Sequence, residues 1–97
     1  MEEQWIQDKL NMIDRKEVPI GYSNHLLYER LSDIQEIDLF DVVVREGSIV
    51  PHRSNAKLSR ICFKKYFKEY NKTYFVITDI KPNILRIITR FWKHGNA

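Results

Sequence analysis

His25, Arg30 and Thr89 are the residues of this sequence whose types suit proton and phosphoryl chemistry. A histidine with an ordinary pKa of about 6.5 takes and returns a proton near neutrality. RNA transesterification asks for that: a proton leaves the 2′-OH and another reaches the departing 5′ oxygen. An exposed surface histidine is the plainer reading of His25. Arg30 offers a planar donor fork for a scissile phosphate, or a stem that covers apolar surface. Thr89 offers a hydroxyl to a phosphoryl oxygen, or is a strand former satisfied by its neighbours. Glu29 follows His25 by four positions, on the same face of a helix. That pair suits acid/base work or two metal ligands, but spacing places no third ligand, so no metal is expected. His52, beside Pro51, and His94, near the end of the sequence, have weaker cases. Cys62 is the single cysteine. It allows no internal disulfide and has no identifiable histidine partner, so it reads as a structural thiol.

A second signal is the alternation from Thr73 to Trp92. Two runs rich in Ile, Val, Phe, Tyr and Thr flank Lys81-Pro82-Asn83, which reads as a β-hairpin whose Asn83 tolerates a left-handed turn. Side chains on a strand alternate faces. If the connections have odd lengths, Ile61, Phe63, Phe67, Phe75, Ile77, Leu85, Ile87 and Phe91 line one core face. Arg60, Lys64, Tyr66, Tyr74, Arg86, Arg90 and Trp92 then line the other. Cations neutralise phosphates and aromatic rings stack on unpaired bases, so this second set is a nucleic-acid-binding candidate. An ordinary solvated face with cross-strand aromatic packing is the alternative.

These residues need positioning elements. Ile6, Leu10 and Ile13 recur at helical spacing, which predicts a helix from Glu2 to about Arg15, stopped by Pro19 and Gly21. Ser23 suits the N-cap of a short helix over Asn24–Ser32. Ile37, Phe40, Val43 and Val44 predict a third helix from about Glu36 to Glu46, with Gly47 as its C′ residue. From Ser48 the pattern turns to strands: an edge segment Ser48–Arg53 containing Pro51, then Leu58–Phe67, then the hairpin, with a loose tail. Helices followed by strands predict an α+β fold, an antiparallel meander of about four strands covered on one face by helices. The helical part spans about residues 2–46 and the sheet part about 48–92.

The 97 residues predict one domain. The net charge of +3 leans towards an anionic partner, but acidic residues are plentiful, so distribution matters more than total. No run approaches the ~20 apolar residues of a membrane span. The start MEEQWIQDKL lacks the basic and apolar regions of a signal peptide. A soluble, cytoplasmic protein is expected.

From about Tyr22 onward the chain resembles the RelE/ParE-like toxin superfamily, part of the barnase–EndoU–colicin–RelE group of ribonuclease domains. It is most similar there to small domains of unknown function. The pieces that carry the resemblance are His25…Arg30-Leu31, then Ile34-Gln35-Glu36-Ile37-Asp38-Leu39 with Gly47 after it, then Ile87-Ile88-Thr89. Each is short, and they occur in the family's order. In the family pattern the His and Arg are four apart. Here they are five apart, ~140° around a helix axis. The resemblance implies a small metal-independent endoribonuclease without cofactor, with His25, Arg30 and Thr89 as its catalytic residues. It also implies RNA as substrate, tRNA or ribosome-bound mRNA among the options, and a neutralising antitoxin or immunity protein. The extra N-terminal helix can cap the sheet or form a homodimer. A non-catalytic nucleic-acid-binding module and a small protein-interaction domain remain as alternatives.

Overall fold

The computed structural model describes residues 4–24 and 34–97, with side chains described for all of these but 34–37. Along the chain run α1 (Gln4–Leu10), β1 (Ile20–Tyr22), α2 (Ile34–Glu46), β2 (Ser48–Ile49), a 3-10 turn (Pro51–Arg53), β3 (Arg60–Phe67), β4 (Lys72–Lys81) and β5 (Ile84–His94). The fold is α+β. Among the described residues there are two helices and a five-stranded mixed sheet of order β1-β5-β4-β3-β2. The helix expected over Asn24–Ser32 lies, from residue 25 onward, outside the described residues. No helix among them is long and apolar enough to cross a membrane.

α2 forms where the periodicity places it. Phe40, Val43 and Val44 are all fully buried, the i, i+3, i+4 stripe of a helix that covers a sheet. The three consecutive valines favour a strand by propensity, but the packing of this stripe outweighs that preference. The stripe packs with Ile6 of α1 and with Ile61, Phe63, Phe67, Tyr74, Val76, Ile80, Leu85 and Ile87 of the sheet in one core.

Several boundaries differ from the sequence expectation. α1 ends at Leu10 rather than near Arg15. The chain then turns at Asp14, whose carbonyl accepts from the amides of Glu17 and Val18 at 3.0 and 2.8 Å. This turn frees Arg15 to donate to the carbonyls of Val44 and Gly47, at 2.8 Å each through Nη2, and so to cap the end of α2. Five strands replace the expected four. β1 forms in the Pro19–Gly21 segment read as a helix stop, and it lies parallel to β5, with Ile20 opposite Leu85 and Tyr22 opposite Ile87. The edge segment Ser48–Arg53 is a two-residue strand followed by the 3-10 turn, as Pro51 has no amide to continue a ladder.

The parity across the strands is also corrected. Four residues separate Phe67 from its partner Lys72, and two separate Lys81 from its partner Ile84. An even connection inverts parity. Odd residues of β3 therefore share a face with even residues of β4, and the odd residues of the first half of β5 rejoin them. A bulge then inverts parity once more: Thr78 faces Ile87 but Ile77 faces Thr89, which leaves Ile88 as the extra residue. Phe75, Ile77 and Phe91 consequently leave the core face, while Tyr74 joins it, its ring edge-on to Phe67 at 5.5 Å. The left-handed turn expected at Asn83 occurs instead at Asn71, φ 50°, in the β3–β4 connection.

Gly47 is required by close approach rather than by a left-handed C′ conformation. A Cβ there would collide with the carbonyl oxygen of Val43 and stand 2.6 Å from that of Lys64. Both obstacles are backbone and cannot swing away. Gly47→Ala is expected to destabilise the fold by about 1–3 kcal/mol. For a chain of this size that lowers Tm by roughly 4–8 °C per kcal/mol. A thermal melt within 1 °C of wild type, on the order of experimental error, would refute the close approach of α2 and β3.

Candidate nucleic-acid interface

α1 and α2 cover one face of the sheet. The other presents Arg60, Cys62, Lys64 and Tyr66 from β3, which pair across the sheet with Asp79, Ile77, Phe75 and Thr73 of β4. From β5 it presents Arg86, Thr89, Phe91 and Lys93, opposite Asp79, Ile77, Phe75 and Thr73. Cross-strand partners share a face, so these residues form one surface. At its centre the rings of Phe75 and Phe91 stack at 4.6 Å and 5°. Val50, Cys62 and Phe75 are buried there in a second small core, with Ile77 and Phe91 packed against it.

The 3-10 turn seals this second core. Its anchor is Ser54, whose hydroxyl donates to the Val50 carbonyl and accepts from the Cys62 amide, both at 3.0 Å. Val50 in turn donates its amide to the Cys62 carbonyl at 2.8 Å. The turn is thereby fixed to β3, and Arg53 lies with its guanidinium 5.5 Å from the Phe75 ring centre and 5.1 Å from that of Phe91. Lys93 Nζ lies 5.8 Å from the Phe75 ring centre. These are cation–π distances.

Charge on the face is uneven. Near the β4–β5 turn, Asp79 takes Arg86 at 3.2 Å and Lys81 at 3.6 Å, and stands opposite Arg60 in register. Towards the other end Arg53 and Lys93 have no carboxylate partner among the described residues. There Lys64, Tyr66, Thr73 and Ser48 border a cleft of about 290 Å³, with Glu46 as its acidic member. The tail, expected to be loose, closes one side of it. β5 extends through His94, Thr73 Oγ1 donates to the Gly95 carbonyl at 2.7 Å and accepts from the Ala97 amide at 2.9 Å, and Lys64 Nζ donates to the Ala97 carbonyl at 3.0 Å.

The structure brings together five of the residues singled out from sequence: Arg60, Lys64, Tyr66, Arg86 and Thr89. It separates three. Tyr74, Arg90 and Trp92 lie on the helix-covered side, because the even connections and the bulge invert their parity. Tyr74 is in the core, Arg90 lies 5.9 Å from the Phe40 ring centre, and Trp92, 44% exposed, carries Lys72 Nζ at 4.1 Å. Thr89 is half-buried beside the bulge and faces away from α1 and α2, whereas unbroken alternation from Leu85 and Ile87 would have turned it towards them. His25, Glu29 and Arg30 lie outside the described residues. The chain just before them is fixed at the bulge: Ser23 donates its amide to Ile87 O at 2.9 Å and its hydroxyl to Ile88 O at 3.0 Å.

Sequence reasoning missed Arg53 and Lys93. Lys93 shares parity with Phe91, so a correct register would have found it. Arg53 carried no local signal beyond its place after Pro51. Burial pushes the Cys62 thiol up from 9.0 to about 11, against the opposing pull of Arg53 and Lys64. It is therefore protonated and unreactive at neutral pH. Comparison with protein families, with curated proteins and with solved structures gives no match to this chain.

The raised thiol pKa has a definite sign in stability. Unfolded chain loses the Cys62 proton near pH 9.0 and folded chain near pH 11, so stability falls as pH rises through that window. Chemical denaturation across the window, wild type beside Cys62→Ala, should give a shallower decline in the variant. Identical slopes would show that the thiol is not held neutral by burial.

Proposed function

We propose that this protein binds RNA across the helix-free face of its sheet and cleaves it there as a small metal-independent endoribonuclease. The observation that carries the reading is that Thr89 shares this face with Arg60, Lys64, Tyr66 and Arg86. Phosphate-binding cations and a hydroxyl able to orient a phosphoryl oxygen then address the same strand of RNA. The resemblance to RelE/ParE-like toxins supplies the rest of the assignment. His25 acts as general acid and base, Arg30 holds the scissile phosphate and Thr89 orients it.

The chemistry balances without a metal. The 2′ oxygen attacks phosphorus as its proton passes to the base, and the 5′ oxygen departs with a proton from the acid. The products are a 2′,3′-cyclic phosphate and a 5′ hydroxyl. Ser23, two residues before His25, is hydrogen-bonded to the carbonyls of Ile87 and Ile88, immediately before Thr89. Two residues of chain reach at most about 7 Å. This tether supports His25 and Thr89 as members of one site. The resemblance further implies a neutralising antitoxin or immunity protein as partner, and a cytoplasmic setting.

A second reading is a binding module that uses the same face without chemistry. What favours it is that the strands carry no histidine on this face among the described residues, and that the ring stack and its cations stand complete without one.

The test is incubation with total RNA and tRNA in EDTA, repeated on translating ribosomes, beside His25→Ala and Thr89→Val. Cleavage by wild type that falls roughly 10²-fold or more in His25→Ala, with RNA binding retained, is the expected result. Salt-sensitive binding without cleavage on any substrate would establish the binding module instead. Absence of both would remove RNA from the account and leave a protein-interaction domain.

A further inference from the structure

The helix-free face holds a cation set that differs in kind from the paired charges around Asp79. Arg53 is held from two directions: its backbone by the Ser54-anchored turn, its guanidinium by the stacked rings of Phe75 and Phe91. A guanidinium at cation–π distance from rings still has N–H groups with which to donate to a ligand. Among the described residues neither Arg53 nor Lys93 has a carboxylate partner. Lys64 stands opposite Phe75 in register, and Lys93, two residues after Phe91 on the same face, holds its Nζ 5.8 Å from the Phe75 ring centre. Arg53 and Lys93 therefore stand within cation–π distance of the ring pair, and Lys64 borders it in register. Arg53 and Lys64 also both oppose, by their charge, the burial that raises the Cys62 thiol pKa.

We propose that Arg53, Lys64 and Lys93 form a phosphodiester-binding site over the Phe75–Phe91 stack, where an RNA backbone crosses the sheet. The proposal rests on the RNA-binding reading and specifies how that face holds its ligand. Phe75 is only 4% exposed, so it is no platform for a base. What this place offers a ligand is N–H donors and positive charge, which suits an anion rather than an aromatic ring. The Ala97 carbonyl already accepts from Lys64 at 3.0 Å, which shows that an oxygen acceptor fits against that ammonium. Further cations on the same face, Arg60 and Arg86, suit a ligand with charge repeated along its length. The site reads backbone and not sequence.

The test uses a labelled, uncleavable 2′-O-methyl oligoribonucleotide, titrated over roughly 50–200 mM salt. Arg53→Gln and Lys93→Gln should each weaken binding several-fold and reduce the slope of log K against log salt by about 0.7, the value for one lost single-strand phosphate contact. Arg53→Lys should restore the slope but not the full affinity, because it keeps the charge and loses the fork. Oligo-U and oligo-A should bind this site equally. Circular dichroism and Tm confirm that each variant is folded. If wild type binds RNA and both glutamine variants match it in affinity and slope, the site is overturned while the RNA reading stands. If wild type binds no RNA but takes poly-glutamate in an Arg53-dependent manner, the site belongs to an acidic protein segment and the phosphodiester is overturned. If it binds neither, the site and the reading fall together.

Discussion

One residue too many in β5 decides which side chains this sheet can offer a ligand. Ile88 has no partner in β4, and the pairing resumes one position later, with Thr89 opposite Ile77. Before the bulge, Leu85 and Ile87 face the helices; after it, Arg90 and Trp92 do. The consequence is that Thr89, Phe91 and Lys93 emerge on the open face beside Lys64 and Arg86. A bulge leaves backbone groups outside the ladder, and Ser23 takes the Ile88 carbonyl with its hydroxyl at 3.0 Å. The same residue ends the run of contacts that β1 makes with β5, so strand pairing, bulge and the segment leading to His25 are coupled at one place.

The covered side of the sheet is held by a different device. Two arginines exchange their donors between the N-terminal segment and the end of α2. Arg15 reaches the carbonyls of Val44 and Gly47, and its guanidinium lies 4.7 Å from the Phe63 ring centre. Arg45 reaches back to the carbonyls of Arg15, Lys16 and Val18 at 3.0, 2.7 and 2.9 Å, while Asp41 holds its Nε at 2.8 Å. Helix ends leave carbonyls unpaired, and a cation there also meets the negative end of the helix dipole. Burial lowers the pKa of Arg15, which nonetheless stays charged because an arginine starts so high. The clasp positions β1 at the sheet edge, and β1 supplies the strand that carries Ser23 to the bulge.

The open face then divides into two electrostatic regimes. Around Asp79, 8% exposed, Arg86 and Lys81 are largely answered within the protein. Around the Phe75–Phe91 stack Arg53 and Lys93 lie at cation–π distance from the rings, an attraction that does not neutralise them. The first arrangement stabilises the end of the hairpin. The second leaves charge to be met by something outside the chain, and the small core beneath it, closed by the 3-10 turn, fixes where that charge stands.

The sequence by itself determined what is local. The stripe of Phe40, Val43 and Val44 gave the helix, the Lys81-Pro82-Asn83 break gave the hairpin, and residue types put Arg60, Lys64, Tyr66 and Arg86 in one basic-aromatic set with Tyr74, Arg90 and Trp92, and Thr89 in a separate catalytic set. A helical period or a turn signal is written within a few neighbouring residues, so it can be read without the fold. Only the tertiary structure decided the faces. Each even connection and the Ile88 bulge inverts the parity of everything after it: the β3–β4 connection moved Tyr74, and the bulge moved Arg90 and Trp92, to the side opposite the expected one. β1 was equally illegible, since three residues become a strand only through bonds to β5 far along the chain. Arg53 gained its place from rings on two other strands. Such placements are set by pairing between distant segments, and no window along the chain contains both partners.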